Sequence, residues 1–234
     1  MDDPNAITLP SGRALSTSAT VASALSRAIH EHRLSPGTKL GEDELAEVYG
    51  VSRTIIRTAL QSLAHAKLVE IQRNRGAFVS QPTPQEAQEV FEARELLEPR
   101  TARSAALNAT AQDIAFLKAH IAEEHAAMAE GDPGLALYLS GQLHVHIARI
   151  ANQNTIANFI EVLIARSSLV VALYSRRESA LCESHAHGEL INAIESKDGN
   201  AAEALMRSHL VDLHSALDLR GKPSAGASLK EILS

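Results

Sequence analysis

Residues 42–57 read Glu42-Asp43-Glu44-Leu45-Ala46-Glu47-Val48-Tyr49-Gly50-Val51-Ser52-Arg53-Thr54-Ile55-Ile56-Arg57. Leu45 and Val48 sit one helical turn apart, so a short helix is expected from about Glu42 to Tyr49 that buries both. Gly50 is placed to end it in the left-handed conformation that glycine adopts most easily. Ser52 then offers a side-chain acceptor to the free N–H groups of a second helix, which carries Ile56, Leu60 and Leu63 on one face and runs to about Ala66. Helix, tight glycine turn and helix make a helix-turn-helix, although an ordinary helical hairpin shares the pattern.

The flanks argue for the DNA-binding version. Upstream, Val21, Leu25 and Ile29 recur at spacing four and predict a helix from about Thr17 to His32, stopped by Ser35-Pro36-Gly37. Downstream, Leu68 to Ile71 and Ala77 to Ser80 suit strands, and Gln72-Arg73-Asn74-Arg75-Gly76 is a polar turn between them, so a two-stranded wing is expected. In such a module the second helix enters the major groove. Arg53 can donate to guanine O6 and N7, Ser52 and Thr54 to phosphates, and Arg57 to the backbone or a base. Arg73 and Arg75 flank an asparagine at the wing tip and could enter a minor groove.

Charge is divided along the chain in the same sense. The net charge is -6, but residues 1–80 carry +1 and residues 81–234 carry -7, with +4 concentrated in residues 51–80. A small anion-binding module fused to an acidic domain gives this asymmetry, as does a solvated charged face.

The N-terminal residues resemble a known family. Leu34-Ser35-Pro36-Gly37-Thr38-Lys39-Leu40, Glu44-Leu45-Ala46, Gly50-Val51-Ser52-Arg53-Thr54-Ile55-Ile56-Arg57-Thr58-Ala59-Leu60, Leu68-Val69 and Arg75-Gly76-Ala77-Phe78-Val79 are similar to the GntR family of winged helix-turn-helix regulators. The resemblance covers about residues 18–80. It implies that Ser52, Arg53, Thr54, Arg57, Arg75 and Gly76 contact DNA. The family has proline at the position of Ile55 and usually glutamate at that of Thr58. Asp43 stands where some relatives place a base-contacting arginine; a carboxylate there repels phosphate, so a different operator is expected.

Beyond Gln81-Pro82-Thr83-Pro84 the pattern becomes helical throughout, with helices expected at about 84–107, 111–130, 133–151, 155–176, 179–197 and 200–219. Alanine, the best helix former, makes up about one residue in six, and aromatics only 3%. The expected fold class is therefore mainly α. A winged helix-turn-helix (17–80) and a linker (81–84) precede an antiparallel six-helix bundle (85–219), with flexible tails at 1–16 and 220–234. One cysteine, Cys182, excludes an intramolecular disulfide, and the acidic start and the short apolar run Leu169 to Tyr174 argue against a signal peptide or membrane span. A cytoplasmic protein is expected.

Three histidines of the bundle fall on apolar stripes: His144 with Leu137, Ala148 and Ala151, His187 with Leu190, Ile191 and Ile194, and His209 with Leu205, Leu213 and Ala216. Three inward imidazoles could hold one Zn²⁺ and leave a position for water or a carboxylate. His146 lies on a comparable stripe with Leu139, Leu143 and Ile150, and histidines that merely pack leave the same pattern. Arg94, with Val90 and Leu97, and Arg166, with Phe159, Val162, Val170 and Leu173, are expected to face inward. Each then needs an anion, either an internal glutamate such as Glu98 or Glu161 or a ligand carboxylate.

Arg94-Glu95-Leu96-Leu97-Glu98, Gln142-Leu143-His144, Ala151-Asn152-Gln153-Asn154, His187 with Leu190-Ile191-Asn192-Ala193-Ile194, and Ala204-Leu205-Met206-Arg207-Ser208-His209-Leu210 resemble the FadR-type C-terminal effector domain (FCD). The resemblance spans about residues 85–218, and six helices instead of seven make it more similar to the VanR-like group. It implies His144, His187 and His209 as metal ligands and Arg94 as an effector contact. Metal-binding members carry Asp four residues before the first His; here Ser140 stands there, leaving that position to water or effector. The whole then reads as a homodimeric regulator of a palindromic operator, a repressor released by a small carboxylate. The alternative is a metal-dependent helical-bundle enzyme with a nucleic-acid-binding module. It requires Glu-x-x-His pairs, which this chain lacks.

Overall fold

A computed structural model describes residues 17–175 and 184–220. The tails at 1–16 and 221–234, Cys182 and the break expected near Arg177 to Ser179 lie outside the described residues. The elements run α1 (Thr17–His30), β1 (Lys39–Leu40), α2 (Glu42–Tyr49), α3 (Arg53–His65), β2 (Val69–Gln72), β3 (Gly76–Val79), α4 (Pro84–Asn108), α5 (Ala111–Ala129), α6 (Pro133–Ile150), α7 (Asn154–Tyr174), α8 (Ser184–Glu195) and α9 (Gly199–Ser215).

Local chemistry sets these boundaries. Gly50 adopts φ 61°, its N–H donating to the Glu47 carbonyl and the Val51 N–H to that of Ala46, which ends α2, and Ser52 Oγ accepts from the Ile55 N–H, opening α3. Thr83 with Glu86 and Thr110 with Asp113 form reciprocal capping boxes at the starts of α4 and α5, while Pro84 and Pro133 occupy first-turn positions whose missing N–H costs nothing.

Two local expectations need correction. The wing is part of a three-stranded antiparallel sheet of order β1-β3-β2, not a two-stranded hairpin: Leu40 pairs with Ala77, and Gln72 with Gly76. A two-residue strand is too short to show any alternation. Neither Leu45 nor Val48 is buried as expected: the single-sided contact of α2 leaves Leu45, Ala46 and Tyr49 half-buried against the N-terminal core and Val48 65% exposed.

The N-terminal core gathers Val21, Leu25, Ile29, Leu40, Ile56, Leu60, Leu63 and Val79, and it continues into Ala165 and Leu169 of α7. The two domains therefore share an apolar seam. The C-terminal core packs alanines of α4 against Leu117, Leu143, Ile147, Ile194, Met206 and Leu210, which lets helix axes approach closely. Tyr174 Oη donates to the Pro82 carbonyl at 2.8 Å and ties the interdomain segment to α7. By length and composition α7 alone among the described helices could cross a membrane, and half of its apolar window is buried inside this fold.

Candidate DNA-binding surface and histidine centre

Ser52, Arg53, Thr54 and Arg57 form the exposed first turns of α3, and Arg75 and Gly76 lie exposed at the wing. Gly76 needs its φ of 98° to turn the chain between β2 and β3. The arginines are not free. Arg57 makes a two-pronged contact with Glu42, Nε to Oε1 at 3.1 Å and Nη2 to Oε2 at 2.7 Å. Arg53 reaches Asp43 at 3.1 Å and Glu42 at 3.5 Å. The hydrogen bond from Arg57 holds the Glu42 carboxyl below its usual range. Asp43 was expected only to repel phosphate; in the folded chain it also engages the leading arginine of the recognition helix.

In the bundle, α6, α8 and α9 bring His144, His187 and His209 together, at 2%, 1% and 4% exposure. One ring nitrogen from each lies within 4.8 Å of the others. His187 Nε2 and His209 Nε2 face each other at 3.3 Å. Two nitrogens on one tetrahedral Zn²⁺, each about 2.0–2.1 Å from the ion, lie roughly that far apart. The outer edges of two rings are held by carboxylates: His144 Nδ1 lies 2.5 Å from Glu98 Oε2, and His187 Nδ1 lies 3.2 Å from Glu124 Oε2. Such contacts fix the tautomer and turn Nε2 inward as a lone pair.

Burial pushes the His144 and His209 imidazoles down, and the neighbouring histidines lower His209 further. Both are therefore neutral near pH 7, as metal ligation requires. Burial alone would raise Glu98, but Arg94 and His144 overcome it and hold the carboxyl at about 2. Glu98 is balanced by Arg94, whereas the fully buried Glu124 meets His187, and among the described residues Glu124 Oε1 and His209 Nδ1 have no hydrogen-bond partner. A cation among the three imidazoles would balance this second buried carboxylate, so the residues fit a divalent metal. His146 is elsewhere, edge-on to Phe116 and His120. The side chain of His185 lies outside the described residues.

Arg94 is buried and has the internal partner: Nε donates to Glu98 Oε1 at 2.6 Å and Nη1 to Ser167 Oγ at 3.1 Å. Beside it lies a cavity of about 50 Å³ whose wall includes Arg94, Ser140, His144, Ser167 and Ser168. Ser140 and His144, one turn apart on α6, thus reach the same space. Arg166 does not. It is half-buried near Glu86, and Phe159 on its expected apolar face is 60% exposed. Glu161 pairs with Arg149 instead. Glu124 was missed by the sequence reading, yet it interrupts the inward stripe Leu117, Ile121 and Ala127 of α5, which is a legible sign of a buried acid.

Comparison with known proteins finds two families along the chain. Residues 17–79 match the family of bacterial regulatory proteins, gntR family, and residues 89–212, just over half of the chain, match the FCD domain. The Uxu operon transcriptional regulator of Escherichia coli (strain K12) is 28% identical over 78% of this chain and 79% of its own length. The Galactonate operon transcriptional repressor of the same organism is 29% identical over 76% and 87%. A transcriptional regulator GntR from Rhodococcus sp. RHA1 has the same fold, with TM-score 0.75 at 22% identity over 86% of this chain and 97% of its own. E. coli McbR/YncC superposes equally well, with TM-score 0.75 at 22% identity over 86% and 98%. The chain belongs to the FCD-domain proteins, with a winged helix-turn-helix before that domain that matches the bacterial regulatory proteins of the gntR family, and is a DNA-binding transcriptional regulator rather than an enzyme.

Proposed function

We propose that this regulator is a repressor released by a small carboxylate, which binds beside a zinc ion held by His144, His187 and His209. One observation carries the reading: Glu98 joins the histidine centre to Arg94 through its two oxygens, and both His144 and Arg94 line the same cavity. When bound, the ion supplies a Lewis-acidic position for an anionic oxygen. Arg94 supplies a fixed positive charge, Ser140 and Ser167 supply hydroxyl groups, and the apolar wall from Phe91 and Ile164 excludes water. The name of the galactonate operon repressor among the relatives points to the same ligand chemistry. Arg166, outside the cavity wall, is left out of the effector site.

The N-terminal surface reads operator DNA through Ser52, Arg53, Thr54, Arg57, Arg75 and Gly76. Exposed apolar side chains such as Leu96 and Phe159 support a homodimer, and twofold symmetry in turn supports a palindromic operator. Residues 81–84 divide the two domains, the six described helices after them fit the VanR-like group, and a cytoplasmic location follows from binding chromosomal DNA.

Metal content of protein purified without an affinity tag, together with melting temperatures in acetate, succinate, citrate and D-galactonate with and without zinc, tests this. Close to one zinc per chain and a zinc-dependent upward shift in at least one acid are expected. Protein that stays metal-free in excess zinc, or melts alike in every acid, overturns the reading.

A further inference from the structure

The wall of the cavity contains one residue that does not belong to the bundle. His30, the last residue of α1 in the DNA-binding domain, lines it together with Arg94, Ser140, His144 and Ser168. His30 is 8% exposed, and its Nε2 has no hydrogen-bond partner among the described residues. A polar atom so buried costs stability unless something completes it. Two residues on, His32 Nε2 contacts the carbonyl of Ser168 at 2.9 Å, which seats the end of α1 on α7 at another part of the same wall. On the α6 side the His30 ring lies 5.9 Å from the ring of Tyr138, which also carries the Arg27 guanidinium over its face at 5.1 Å. The fit is close enough that a Cβ added at Gly134 would lie 2.5 Å from the Glu31 carbonyl oxygen.

We infer that the effector site extends across the domain joint: His30 is part of it, and a ligand in the cavity acts on α1 directly. This rests on the cavity being the effector site. The ties on each wall supply the driving step. The cavity of about 50 Å³ has room for on the order of four water-sized groups and is partly open to solvent, so a larger acid lies against every wall and bears most on the one least tied. The α4, α6 and α7 walls are cross-tied through Arg94, Glu98, His144 and Ser167 inside the bundle. The α1 wall is held by the His32 contact, the Tyr138 ring contacts and the apolar seam to Ala165 and Leu169. It is the wall that gives, and α1 packs on α3, so its displacement carries the recognition helix with it.

The test uses the whole chain without effector or DNA, so it reads the joint whether or not a carboxylate is the ligand. Ser140→Leu fills the cavity from α6 and stands in for an occupant. Amide hydrogen exchange in residues 21–32 is expected to accelerate about five-fold or more relative to the parent, and to return most of the way in Ser140→Leu combined with His30→Ala, where the wall has been cut back. Exchange in α1 that Ser140→Leu does not change, or that it accelerates equally with and without His30→Ala, overturns the inference. Loosening confined to α6 and α7 does the same. Should circular dichroism show Ser140→Leu unfolded, Ser140→Val adds less volume and is read by the same comparison.

Discussion

His144 and Glu98, both almost fully buried, meet at 2.5 Å between Nδ1 and Oε2. Because Arg94 holds the other oxygen of the same carboxylate at 2.6 Å, replacing Glu98 disturbs the histidine centre and the proposed effector arginine together. Glu98→Gln keeps the shape and removes the charge. Metal affinity is expected to fall about 10–100-fold, the usual cost of losing a carboxylate behind a ligating histidine. Uncompensated Arg94 should lower stability by about 3–5 kcal/mol. Chelator competition and urea unfolding measure the two effects; a variant that keeps both parental values would show that Glu98 orients nothing.

The acids of α2 set how the recognition helix meets DNA. Arg53→Ala is expected to cost about 1–3 kcal/mol on a duplex selected by the parent chain from a random pool, with little change on an unrelated duplex. Asp43→Ala releases Arg53 from its contact at 3.1 Å and removes a charge that repels phosphate, so affinity for the unrelated duplex should rise and its salt dependence steepen. Titrations at two salt concentrations separate the variants. Equal losses on both duplexes for Arg53→Ala would take away its base-reading role.

Acid weakens the fold through its buried neutral histidines. Burial lowers His30 and His146 from 6.5 to about 4, helped by His32 and His120 respectively. Above pH 6.5 these rings are neutral whether the chain is folded or unfolded. Between 6.5 and 4 only the unfolded chain takes up the protons, so stability falls as pH falls, by up to ~3 kcal/mol for His30. Glu98, held at about 2, adds its own loss only below about pH 4.5. Urea unfolding of the parent and of His30→Leu from pH 7 to 4.5 checks the sign. The variant should show the shallower decline, and parallel curves would remove His30 from the account.

Much of this organisation is legible in the sequence where punctuation is local. Gly50 and Ser52 fix the turn between α2 and α3 to within a residue because each acts on its own neighbours. The three site histidines stand out as polar interruptions of apolar stripes, although only the family resemblance separates His144 from His146. Arg166 was misplaced for a physical reason. Apolar residues surround most of α7, so periodicity names no face, and Ile160 and Leu169 are buried while Phe159 and Val162 are exposed. His30 could not be read as a cavity residue at all, because its surroundings come from α6 and α7, more than a hundred residues away.

Ser140 gives the most discriminating substitution in the metal centre. It lies one turn before His144 on α6, and both side chains reach the cavity beside Arg94. With three neutral imidazoles as protein ligands, a bound ion keeps its full positive charge and attracts an anionic effector. Ser140→Asp would place a carboxylate in that space. Zinc should then be held more tightly, since a carboxylate is a far better ligand than a hydroxyl, while an acidic effector should bind more weakly against the added negative charge. If Ser140 serves only to let helices approach, the new acid is instead buried without a partner, and the bundle loses stability with no gain in metal retention. Chelator competition on the parent and Ser140→Asp, run beside thermal melts in the same acids, reads both signs. Tighter zinc with a smaller acid-induced shift is the expected result, and unchanged or weaker zinc retention would rule out a coordination position at Ser140.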